Sequence, residues 1–102
     1  MSTIVNLTPH EIVLRGITLT SAGVARCETS SIKIGEVNGI AINRRSFGEV
    51  YGLPEPEADT YYIVSSIVAQ AVRGLRNDCL VVDETIRDEA GRIVGCKSLA
   101  RV

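Results

Sequence analysis

A chain of 102 residues, 45% hydrophobic and 23% charged, has the composition of one globular domain, residues 1–102, with a modest core. Eleven basic against twelve acidic residues give a net charge of −1. That balance excludes the strong positive field on which non-specific binding to nucleic-acid polymers or anionic membranes depends. No apolar run approaches the roughly 20 residues of a membrane span, and Met1-Ser2-Thr3 leads into a strand-like run rather than a basic, then apolar, leader, so a cytoplasmic protein is expected.

Thr3 to Leu7 reads as a first strand, broken at Thr8-Pro9-His10, where Pro removes a donor and holds the preceding residue extended. Glu11–Arg15 and Ile17–Leu19 resume the strand pattern on either side of Gly16, and Ser21-Ala22-Gly23 turns the chain again, which makes a meander. Val24–Glu28 alternates small apolar and polar side chains, and Thr29-Ser30-Ser31 allows a bend. Ile32 and Ile34 continue the period of two into Val37-Asn38-Gly39-Ile40, where Asn-Gly between β-formers predicts a type I′ hairpin pairing 32–37 with 40–44.

Arg44 to Pro54 mixes two Arg, Phe47, Tyr51 and two Gly with no clean period, the composition of a binding loop or an irregular packed connection. Glu55–Asp59 is a Pro-containing acidic loop expected to face solvent. Tyr61–Val64 is β-rich, Ser65-Ser66 is a helix-start signal, and Ile67, Val68, Ala71, Val72 and Leu75 mark one helical face before Cys79–Val82 returns to a strand. This strand–helix–strand unit is the stretch around which the chain is organised. Thr85–Arg87 and Arg92–Cys96 flank Asp88-Glu89-Ala90-Gly91, whose final Gly suits a type I turn closed by a bulge. The sum is an α+β domain: a mostly antiparallel sheet of about eight short strands with one short helix at about 66–75. One helix is little cover for so many strands, so a homo-oligomer is expected.

Ser65 and Ser66 lie where a strand feeds a helix. Ser there ordinarily caps the helix, and free N–H groups beside it can also receive an anion. Arg44 and Arg45 could neutralise a phosphate and Phe47 or Tyr51 could stack on a base; the competing roles are a solvated face for the Arg pair and core packing for Phe47. Nine of the eleven bases are Arg, with only Lys33 and Lys97 as Lys, which suits forked contacts to phosphate or carboxylate. His10 is the one histidine, and no nucleophile elbow accompanies it. Cys27, Cys79 and Cys96 form no CxxC pair and lie near apolar residues, so reduced, buried thiols are expected and no metal site or cofactor.

Four segments in order, Asn6-Leu7-Thr8-Pro9-His10, Phe47–Pro54, Tyr62–Ser65 and Arg87–Cys96, give the chain a resemblance to a family of small phage and prophage proteins with an N-terminal NLTPH-type motif. The resemblance implies no activity. Its context, by analogy with anti-defence factors of similar size, implies a non-catalytic homo-oligomer in the host cytoplasm that sequesters a small, phosphorylated, nucleotide-derived immune signal; the residues read above, Ser65, Ser66, Arg44, Arg45, Phe47 and Tyr51, are those expected to form its site. Two other readings stand beside it: a structural module that docks a host or phage protein, and a small hydrolase using His10 with a Ser or Cys.

Overall fold

A computed structural model describes residues 2–101; Met1 and Val102 lie outside the described residues. Its elements are β1 (Thr3–Asn6), β2 (Ile12–Leu14), β3 (Ile17–Leu19), β4 (Arg26–Val37), β5 (Ile40–Tyr51), β6 (Thr60–Ile63), α1 (Ser66–Ala71), β7 (Cys79–Arg87) and β8 (Ile93–Ala100). They form a six-stranded sheet in the order β1-β6-β7-β8-β2-β3 and a separate β4–β5 hairpin. The fold is mostly β with a single short helix, as the sequence patterns indicate, and antiparallel pairing joins β2–β3, β4–β5 and β7–β8. Parallel pairing enters at β1–β6 and β6–β7 and at one contact, Leu14 with Cys96, between β2 and β8.

The strand–helix–strand unit sits at the centre as β6–α1–β7, and its parallel pairing is what a helical crossover requires. β6 is covered on both sides, so its apolar run is continuous: Tyr62, Ile63 and Val64 are all buried. Alternation sends Tyr62 and Val64 into a core with Leu7, Ala25, Val68, Ala69, Val72 and Cys79. Ile63 goes the other way, to Ile12 and Cys96, with Leu14, Leu19 and Leu99 packed around them.

Ser65 has extended backbone and its Oγ accepts from the Val68 N–H at 3.3 Å, so it is the N-cap. The regular helix ends at Ala71, short of the expected residue 75. Its carbonyls are taken up by a tight turn in which the N–H groups of Leu75 and Arg76 both donate to Val72 O, and Gly74 occupies left-handed backbone. Leu75, expected on the buried face, is therefore 81% exposed.

Asn38 and Gly39 have φ of +51° and +78°, the type I′ turn that Asn-Gly favours. The hairpin is longer than its sequence pattern suggests. Thr29-Ser30-Ser31 does not bend but continues β4, and Arg44–Tyr51 is not a loop but the second half of β5, each strand 12 residues long. Two register shifts, between Cys27 and Thr29 and between Lys33 and Gly35, break the period of two and hide the strands from a pattern reading. At the base, an added Cβ on Gly52 (φ +75°) would stand 2.6 Å from the Val24 carbonyl oxygen, so only Gly lets the chain leave β5 there.

Glu55–Asp59 is exposed, as expected. The second hairpin closes as a type I turn with Gly91 at φ +83° donating to Asp88 O at 3.0 Å. Asp83 and Glu84 lie inside β7, where Ser98 Oγ donates to Glu84 Oε2 at 2.7 Å. Among the described residues no helix is long and apolar enough to cross a membrane.

Candidate functional site

Two surfaces stand out, one on the body and one on the hairpin. On the body, the segment after β1 is held by Asn6, one of the most buried side chains in the chain. Its Nδ2 donates to the carbonyls of His10 (2.8 Å) and Leu19 (2.9 Å), and its Oδ1 accepts from Thr8 N (2.9 Å) and Thr8 Oγ1 (2.6 Å). One side chain thus ties β1, the Thr8-Pro9-His10 break and β3 together. The next residues, His10 to Val13, form one wall of a groove of about 670 Å³. Val81, Val82 and Ile93–Cys96 line it as well, β8 lying beside β2 in the sheet, and Ser65 and Ser66 border it where β6 runs into α1. The lining is largely aliphatic. Among the described residues Glu11 is its one carboxylate, and no Arg or Lys borders it.

The β4–β5 hairpin projects as an arm. A compact chain of this length has a radius of gyration near 13 Å, whereas this one has 16.1 Å. From Glu28 to Glu49 every residue is exposed, and the arm's packing on its own body is against α1 near the base. Register and alternation sort its side chains onto two faces. One carries Ile32, Val37, Ile40, Ile42 and Arg44, with Ile34 at the bulge beside them. The other carries Lys33 paired to Glu36, then Asn43, Arg45 and Phe47. The five aliphatic side chains are between 41% and 67% exposed, a contiguous stripe of a kind that marks interaction surfaces rather than ordinary solvent-facing sheet.

The six residues singled out from the sequence fall in separate places. Ser65 and Ser66 come together with His10 at the groove, and neither cavity that Ser65 borders is lined by the other four. Arg44 and Arg45, adjacent on a strand, point to opposite faces of the arm. Phe47 shares Arg45's face, two residues on, with its ring 40% exposed rather than in the core. Tyr51 lies at the arm's base and its hydroxyl donates to Glu28 Oε1 at 2.7 Å, which raises its pKa, the carboxylate's charge and burial adding to the effect.

His10 contributes its backbone carbonyl to the Asn6 and Thr8 bonds, while its ring makes no hydrogen bond among the described residues. Burial, helped by Asp78, pushes the Cys79 thiol up to about 11, and burial also raises Cys96. All three cysteines are free; Cys79 and Cys96 are buried and Cys27 half-buried. Asp78 is held below the usual carboxylate range chiefly by the forked hydrogen bonds from Arg76 (2.9 and 2.8 Å), which also donates to Pro54 O at 2.9 Å and so fastens the exit from the arm to the body. Among the described residues no three His, Cys, Asp or Glu side chains cluster to hold a metal.

Sequence reasoning missed two features, Asn6 and the aliphatic stripe. The stripe's signal was present, since Ile32 and Ile34 alternate with polar residues before Asn-Gly and Ile40 and Ile42 flank Ala41 after it. Comparison of the chain with protein-family models, with curated proteins and with solved structures found no match.

Proposed function

We propose that this protein is a non-catalytic binding module that works as a homo-oligomer and uses the β4–β5 arm to assemble. The observation that carries the reading is the stripe of Ile32, Ile34, Val37, Ile40 and Ile42, exposed on an arm that its own body does not cover. Leaving such a surface in water forfeits roughly 1.5–3 kcal/mol for each large aliphatic side chain that a partner could bury. Burial raises the Cys79 and Cys96 thiols, so neither offers the thiolate that a Cys–His couple needs.

A second reading, capture of a small phosphorylated ligand, is favoured by Arg45 and Phe47, which stand two positions apart on one exposed face of β5. A guanidinium and a ring so placed suit a phosphate and a base. For a nucleotide-derived signal the assembled protein would act as a sink, in keeping with the phage-type resemblance of the sequence.

Native mass spectrometry of the protein purified from cells tests both. The first reading expects multiples of the 11.0 kDa subunit, and bare single subunits at micromolar concentration would contradict it. The second expects a further mass of a few hundred daltons, on the order of one nucleotide, lost on Arg45→Ala.

A further inference from the structure

The chain carries two unpartnered apolar surfaces of matching character, a projecting stripe and a recessed groove. We propose that the aliphatic face of one copy's arm lies in the groove of a second copy, and reciprocally, with Arg44 of each arm against Glu11 of the other copy's groove. This rests on the homo-oligomeric reading above and specifies its geometry.

The first argument is complementarity of shape and polarity. The groove, about 670 Å³ and lined by Ile12, Val13, Val82, Ile93 and Val94, is within the range of sites that enclose a drug-sized molecule, room enough for several aliphatic side chains. Ile93 and Val94 on its wall are 56% and 51% exposed, comparable to the stripe itself. The protein's own arm leaves its groove open: residues 28–49 are exposed and none of them lines it.

The second argument is charge. Between Ile32 and Val37 on β4 and between Ile40 and Arg44 on β5, the aliphatic face carries a single charged side chain, Arg44. The groove carries a single carboxylate, Glu11. Neither takes part in an ion pair among the described residues. Seating the stripe in the groove therefore brings the one free cation of the first surface to the one free anion of the second.

The third argument is closure. Donor and acceptor surfaces on the same chain allow a two-fold arrangement in which each copy gives an arm and receives one, and no further copy is needed. An arm-against-arm pairing would bury the stripes alone and leave both grooves open.

Charge reversal tests the pairing, since Arg44 and Glu11 are both exposed and their substitution leaves the core untouched. Sedimentation velocity is run on wild type, Arg44→Glu, Glu11→Arg and an equimolar mixture of the two variants, with far-UV circular dichroism as the folding control. Each single variant is expected to raise the dissociation constant about tenfold or more, because like charges then meet in the interface. The mixture is expected to recover wild-type association, because each arm then finds a groove of opposite charge. Dimers unaffected by either variant, or no recovery on mixing, would overturn arm-in-groove seating while leaving the oligomer standing. Monomeric wild type would overturn both this seating and the homo-oligomer itself.

Discussion

Replacing Asn6 with Ala is expected to lower the free energy of unfolding by about 3 kcal/mol or more, the largest loss from any single polar substitution in the chain. The side chain is 2% exposed and uses its amide in full, two donations and two acceptances. Truncation leaves the His10 and Leu19 carbonyls and the Thr8 N–H and hydroxyl without the one side chain that joins them. Each polar group stranded in this way costs about 1–3 kcal/mol. Asn6→Asp tests the donor side separately: a carboxylate still accepts from Thr8 but turns oxygens toward two carbonyl oxygens, so it should not rescue the Ala variant. Urea unfolding with an unchanged m-value is the measurement. A loss below about 1 kcal/mol, the worth of one ordinary hydrogen bond, would mean that the amide does not hold the loop. The consequence reaches the groove, because His10 and Glu11 on its wall follow directly from the segment that Asn6 fixes.

Placing Lys at both Ile40 and Ile42 is expected to convert the oligomer into monomers without loss of fold. The two side chains are 67% and 41% exposed in the single chain and lie on the face of the arm that its own body leaves bare. Burying each in a partner is worth roughly 1.5–3 kcal/mol, and a two-fold assembly loses each twice, so the dissociation constant should rise by at least about a hundredfold. Asn43→Lys, next to Ile42 but on the opposite face, is the control and should leave association unchanged. If the double variant sediments as wild type does, the stripe is not the contact. If it unfolds, the arm is part of the subunit's own core, contrary to its exposure.

Much of this fold was legible because its signals are local. The β6–α1–β7 unit shows in the shift from a β-rich run to helical spacing at Ser65-Ser66, and the two hairpin turns show in Asn38-Gly39 and Asp88–Gly91, where backbone of positive φ selects the residue type. Illegible features depend on partners distant in sequence. The pairing of β1 with β6 joins Thr3 to Thr60 and leaves no local trace. β4 and β5 were read as shorter pieces because two bulges shift the alternation and Gly48 and Arg44-Arg45 look like loop chemistry. That misreading carried over to the site: once 44–51 is a strand, adjacent Arg residues must face opposite ways, and Arg44 and Arg45 cannot both grip one phosphate from a single arm. Ser65 was placed correctly as a cap because its role is set by its immediate neighbours. The Arg76–Asp78 fork and the Asn6 network were not seen, since a polar residue's burial is decided by what packs over it.

Hydrogen exchange followed by mass spectrometry, on wild type at concentrations above and below the dissociation midpoint, tests most directly whether the arm is an assembly element. Amides of residues 32–42 should be protected in the concentrated sample and lose that protection on dilution, in step with dissociation, while residues 60–72 around β6 and α1 stay protected at every concentration. Arm amides that exchange at the rate of a solvent-exposed hairpin at all concentrations would contradict the account.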